Sequence, residues 1–140
     1  MLLSPRNFKY KKQQKGKSFN KIFKTSKSGL MPLTFGSVGL KAISSGRLTA
    51  KQINSVRQSI NKQIKKLGRL KVNIFPHTPI SKKPIEVRMG KGKGNVDHWI
   101  FKVKPGFILY EIETSFISVA IKALKRGQIR LPIKTKIILN

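Results

Sequence analysis

Not one acidic residue precedes Glu86 in this chain of 140. Thirty-one Lys and Arg stand against Glu86, Asp97, Glu111 and Glu113, a formal charge of +27. Such a chain repels itself in water and adheres to polyanions, so its folded form calls for a permanent anionic partner. Hydrophobic residues make up 39% of it, too many for a purely disordered basic tail, so it can also bury a modest core. The length suits about one domain.

Composition removes several kinds of chemistry. The chain has no cysteine, which excludes disulfides, zinc fingers and thiol catalysis. Four acids and two histidines, His77 and His98, offer little from which to build a metal site or a general acid–base pair. Asp97 and His98 are neighbours expected on opposite faces of a strand, and Glu111 and Glu113 share a face only if their strand persists. No cofactor and no enzymatic activity are expected. No apolar run approaches the roughly 18 residues of a membrane span. The start, Met1-Leu2-Leu3-Ser4-Pro5, leads into basic polar sequence with no secretory h-region. Twenty-four Lys against seven Arg, with seventeen Ile, suggest an AT-rich coding genome.

Two regions emerge. Residues 1–30 hold nine basic residues and no acid, with Phe8, Tyr10, Phe19 and Phe23 spaced among them. This arm has no sustained period and cannot order on its own burial, but it can order against a phosphate surface. Its cations include Arg6, Lys9, Lys11, Lys12, Lys15 and Lys17. Residues 31–140 read as a single domain. Phe35 to Ile43 form a glycine-broken strand, and Ser44-Ser45-Gly46 a turn. Thr49 with Gln52 forms a capping-box pattern, opening a helix that buries Ile53, Val56, Ile60, Ile64 and Leu67 and stops at Gly68. Lys51, Arg57, Lys62, Lys65 and Lys66 occupy its other faces, with no acid at i±4 to relieve them.

Leu70, Val72 and Ile74 alternate as a half-buried strand, and Pro76, Pro79 and Pro84 predict a stiff extended connection. Ile85, Val87 and Met89 alternate as another strand. Trp99, Phe101 and Val103 then alternate as packing residues, Pro105-Gly106 marks a turn, and Phe107 to Ile112 returns as a strand. A second helix is expected from about Phe116 to Arg126, burying Ile117, Ala120, Ile121 and Leu124 and ending at Gly127. A last strand carries Leu131, Ile133, Thr135, Ile137 and Leu139 on one face. The order β-α-β-β-β-β-α-β specifies an α+β domain with a largely antiparallel sheet, two helices and a basic N-terminal extension.

The sharpest local signal is Arg88-Met89-Gly90-Lys91-Gly92-Lys93-Gly94-Asn95. Three glycines in five residues let backbone amides approach another surface, while Lys91 and Lys93 place charge at the tip. Nucleotide-binding templates fail: no Ser or Thr follows either Gly-Lys pair, Asn95 sits where a dinucleotide fingerprint needs glycine, and a strand follows instead of a helix. From the residues alone, contact with a nucleic-acid backbone and a bare hairpin tip both remain open.

Several blocks together carry a family likeness. Gly46-Arg47-Leu48-Thr49-Ala50-Lys51-Gln52-Ile53, Pro79-Ile80, Lys83-Pro84 and Val87 through Val96 resemble ribosomal protein L-sixteen of the bacterial-type large subunit. Trp99, Pro105-Gly106, Leu109-Tyr110-Glu111 and Leu131-Pro132-Ile133-Lys134-Thr135 fall in matching order, as does the opening around Ser4-Pro5-Arg6, Phe8 and Lys11-Lys12. The likeness covers nearly the whole chain. It implies an α/β-hammerhead fold and a structural place in the large subunit, with large-subunit rRNA, A-site tRNA and neighbouring large-subunit proteins as partners. It also implies that Arg6, Lys9, Lys11, Lys12, Lys15, Lys17, Arg47, Lys51, Arg57, Lys62 and Lys65 bind rRNA. Arg88, Gly90, Lys91, Gly92, Lys93, Gly94 and Asn95 would face the tRNA, and peptide transfer would be left to the RNA.

A free homo-oligomer and membrane insertion are not expected. A DNA-compacting or membrane-surface protein would share the charge, but neither needs a Gly-Lys hairpin on an α+β core. Divergence, base composition and the absence of a cleavable presequence point to an organelle-encoded gene. A mitochondrial ribosome comes first, with a plastid or bacterial cytoplasm as the alternatives.

Overall fold

A computed structural model describes residues 4–14, 16 and 32–140. Lys15, Lys17, Phe19 and Phe23 lie outside the described residues. Nine elements follow in order: β1 (Val38–Ala42), β2 (Gly46–Thr49), α1 (Ala50–Ile64), β3 (Arg69–Val72), β4 (Thr78–Lys82), β5 (Asn95–Val103), β6 (Ile108–Glu113), α2 (Ile117–Gln128) and β7 (Thr135–Leu139). They form two sheets, one ordered β3-β6-β1-β7 and one ordered β2-β5-β4. Every pairing in both is antiparallel. The fold is α+β, as the sequence predicts.

The helix α1 forms where its capping box sits. Gln52 N donates to Thr49 Oγ1 at 3.3 Å, and Thr49 N donates to Gln52 Oε1 at 2.9 Å. Ala50, Ile53, Val56, Ile60 and Ile64 are all buried in it. Each buried Ile or Val contributes about 1.5–3 kcal/mol relative to exposure. Tyr110 fastens this helix to β6: its hydroxyl donates to the Ile53 carbonyl at 3.0 Å, and burial pushes the phenol pKa well above its usual value. The helix ends one turn short of Gly68, with Lys65 as its C-cap at φ 51°. Leu67 therefore leaves the inward stripe and is half exposed.

The other departures have local causes. Gly46–Thr49, expected as turn and helix start, pairs with β5 as a short strand. Gly127 does not stop α2 but lies inside it and is buried. A Cβ there would stand 3.0 Å from Ile60 and 3.2 Å from Val56, so the missing side chain lets α2 settle on α1. Ile117 is half exposed instead of buried. Leu131 and Ile133 precede β7 and pack against the core from outside the strand.

The predicted extended connection contains β4, with Pro79 inside it. Because β4 is an edge strand, the N–H that proline lacks can fall on the unpaired side. The strand expected at Ile85–Met89 is absent. A strand there would be the hairpin partner of β5, but both sides of β5 are already taken, by β2 and β4. Val87 N instead donates to the Pro84 carbonyl at 3.3 Å in a turn. Ile85 and Met89 stand 97% and 99% exposed, so their alternation marks no buried face. Among the described residues, no helix is long and apolar enough to cross a membrane.

Candidate nucleic-acid interface

The segment between β4 and β5 carries the Gly-Lys loop, with Asn95 as the first residue of β5. Gly90 and Gly92 adopt φ of +100° and +85°, a region costly for ordinary L-residues. Lys91 between them takes φ 51°. No atom lies within 4 Å of where either glycine's Cβ would be, so torsion and not space requires glycine. Gly94 differs, because a Cβ there would meet the Lys82 carbonyl at 2.6 Å. Lys83 Nζ donates to the Gly90 carbonyl and ties the tip to its base. Arg88, Lys91 and Lys93 are all exposed.

The arm meets this loop. Lys12 Nζ donates to the Lys93 carbonyl at 2.9 Å, and Lys93 Nζ donates back to the Gln13 carbonyl. Phe8 stands edge-on to Trp99 with ring centroids 5.2 Å apart. The arm is thus joined to the loop through carbonyls and to β5 through one aromatic pair, contacts that leave the charge of both cationic segments uncompensated. Arg6, Lys9, Lys11 and Lys12 are exposed along the described part of the arm.

The helix cations do not gather in one place. Lys51 lies by β5, in a cleft it shares with Asp97, His98 and Trp99. Lys62 lines a groove of about 440 Å³ between α1 and α2 with Arg126 and Arg130. Arg130 Nη1 donates to Ser55 Oγ at 3.0 Å on the same groove. Arg126 and Arg130 were not singled out by sequence, although their position near the end of α2 is the kind of signal that could have found them. Arg57 is half-buried, while Lys65 and Arg47 are exposed.

β6 persists to Glu113, the condition under which Glu111 and Glu113 share a face; Glu111 is only 1% exposed, while Glu113, at the end of the strand opposite Arg69 of β3, is exposed. Glu111 Oε2 accepts from the backbone N–H of Thr34, Phe35 and Gly36 at 3.2, 2.7 and 3.2 Å. Its Oε1 accepts from Asn73 Nδ2 at 2.5 Å and from Thr34 Oγ1 at 3.4 Å. Burial alone would raise this carboxyl's pKa, but the bonds from Phe35, Asn73, Gly36 and Thr34 outweigh it and hold the pKa below the usual value. Asp97 and His98 do not point apart: His98 Nδ1 lies 2.8 Å from Asp97 Oδ2. The hydrogen bond from His98 lowers the Asp97 pKa, helped by the charges of Lys82 and Lys51. Among the described residues, no group of three or more His, Cys, Asp or Glu could hold a metal ion.

The family model of ribosomal protein L16p/L10e matches residues 5–138. The chain belongs to the L16p/L10e family of ribosomal proteins. As a member it is a structural, non-enzymatic constituent of the large ribosomal subunit. It is 47% identical to the large ribosomal subunit protein uL16 of Caulobacter vibrioides, over 98% of this chain and 92% of the relative. The uL16 protein of Maricaulis maris is 46% identical over 98% and 96% of the two chains. That of Alkalilimnicola ehrlichii is 43% identical over 96% and 94%.

Proposed function

We propose that this chain binds large-subunit rRNA through its arm and α1, and that the loop at residues 90–95 stands beside A-site tRNA. Arg6, Lys9, Lys11, Lys12, Lys15 and Lys17 run along rRNA phosphates, joined by Arg47, Lys51, Arg57, Lys62 and Lys65 from the domain. Arg88, Lys91 and Lys93 reach the tRNA on a tip that Gly90, Gly92 and Gly94 shape and Asn95 anchors to β5. The observation that carries this reading is the contact between arm and loop. Lys12 and Lys93 hold two cationic segments side by side without acid between them, a surface that only a polyanion relieves. The chain supplies position and charge, and neighbouring large-subunit proteins complete its surroundings.

The Lys- and Ile-rich composition, as of an AT-rich gene, supports a mitochondrial ribosome as the home of this chain, while the relatives named above are bacterial. A density gradient of organelle and cell extracts, with the chain followed by mass spectrometry, decides between them. For the loop, the test is the double variant Lys91→Ala with Lys93→Ala. Incorporation into the subunit should persist while tRNA accommodation slows. Normal elongation combined with lost assembly would reverse the assignment.

A further inference from the structure

A cleft of about 500 Å³ opens between the start of α1, at Thr49 and Lys51, and the β5 residues Asp97, His98 and Trp99. Its acid is unusual in a chain with only four. The register of the sheet explains how it gets there. Ile80 of β4 pairs with His98 and Ser81 with Val96, so Asp97 is an extra residue with no partner across the ladder. In a regular strand Asp97 and His98 would face opposite ways. A bulge re-aims side chains, and here both neighbours line one cleft together with Trp99.

An ionised carboxylate only accepts hydrogen bonds. His98 Nδ1 therefore donates to Oδ2, which leaves Oδ1 and one lone pair of Oδ2 for a ligand. That chemistry rejects phosphate, whose oxygens are also acceptors and carry the same charge. It favours a donor edge. Among RNA bases, guanine presents N1–H and N2–H side by side, which matches both oxygens of a carboxylate. Adenine and cytosine offer one exocyclic amine each. Trp99 supplies ring surface for stacking, and Lys51 at the rim suits the nucleotide's own phosphate.

We infer that this cleft binds an unpaired guanine base of RNA, with Asp97 reading the N1–H and N2–H edge, Trp99 stacking, and His98 holding the carboxylate in place. The inference rests on the rRNA-binding reading above and adds to it a contact with a base's donor edge, which the basic residues, being donors themselves, cannot make. Phosphate contacts position a protein on RNA, while base contacts choose the site.

The test uses the full chain bound to large-subunit rRNA. Kethoxal reports guanine N1 and N2, dimethyl sulfate reports adenine and cytosine, and hydroxyl radicals report the backbone. The wild-type chain should protect one guanine from kethoxal. Asp97→Asn should weaken that protection about tenfold or more, the size expected for losing a bidentate base contact. The backbone footprint should stay unchanged. Asp97→Glu keeps the charge but displaces the edge, and it should lose part of the same protection. Circular dichroism shows whether each variant is folded. An acid without a ligand would behave oppositely: Asp97→Asn raises the charge from +27 by one, to +28, and would tighten binding with no base changed. That result overturns the inference. So does a variant that leaves every guanine as in wild type and, in assembled large subunits, instead loses a cross-link to a neighbouring protein's Lys or Arg. A wild-type chain that protects no rRNA anywhere refutes the broader RNA reading instead.

Discussion

Replacing Glu111 tests how the segment before β1 is held to the sheet. In Glu111→Gln one amide oxygen still serves the N–H groups of Thr34, Phe35 and Gly36, but without charge. The new amide nitrogen then faces Asn73 Nδ2, so the Asn73 amide must turn over to accept from it. A hydrogen bond to a charged acceptor is worth about 1 kcal/mol more than a neutral one, which makes about 3 kcal/mol for three. Relief from burying a charge offsets part of this, so a loss of about 1–3 kcal/mol is expected. Glu111→Ala strands the donors and should cost about 3–5 kcal/mol.

Urea denaturation at neutral pH reads the difference as a midpoint shift at constant slope, of about 1 M for a small domain. The pH dependence supplies the sign. The folded pKa of Glu111 lies below its ordinary unfolded value, so its contribution is complete above that ordinary value and is lost as pH falls through the folded pKa. Gln does not titrate there, and the gap between wild type and variant should narrow in acid. Equal midpoints at neutral pH, or a gap unchanged in acid, would refute the reasoning.

Three other outcomes are expected. Trp99 is the single tryptophan, so Phe8→Ala should shift its emission and speed trypsin cleavage at Lys9, Lys11 and Lys12; an unchanged spectrum would show that the arm does not rest there. The aromatic pair itself is worth about 0.5–1.5 kcal/mol. Gly127→Leu should destabilise by about 1–3 kcal/mol in the same urea assay by pushing α2 off Ile60 and Val56, and unaltered stability would mean that the helices have room to spare. Affinity for rRNA should fall steeply with salt, by on the order of 10³–10⁵ between 50 and 200 mM if about 6–10 phosphates are neutralised as on duplex DNA, and somewhat less for RNA; a flat profile would contradict a phosphate-dominated interface.

The features legible in the sequence were those written locally. Thr49, Gln52 and the Ile53–Ile64 stripe specify α1 because cap and period lie within fifteen residues of one another. Pro105-Gly106 marks the β5–β6 turn for the same reason. What escaped depends on distant partners. Glu111 meets Thr34, Phe35 and Gly36 from 75 to 77 positions away, and no local pattern distinguishes it from a surface acid. The bulge at Asp97 depends on how β4 and β5 slide together, which neither strand records alone. Ile85, Val87 and Met89 misled because alternation shows which residues could share a face, not whether a strand is there to pair with. Gly127 reads as a stop signal until Ile60 is known to lie against it. Of the interface, the Gly-Lys tip was plain from composition, whereas its tie to the arm through Lys12 and Lys93 was not.

The open surroundings of Gly90 and Gly92 mean that the tip is specified by handedness and not by volume. A mirror-image alanine at either position would keep the curve, while its natural counterpart would bend the lysines toward a different direction. The molecule's reach is therefore encoded in chirality, by residues that have none.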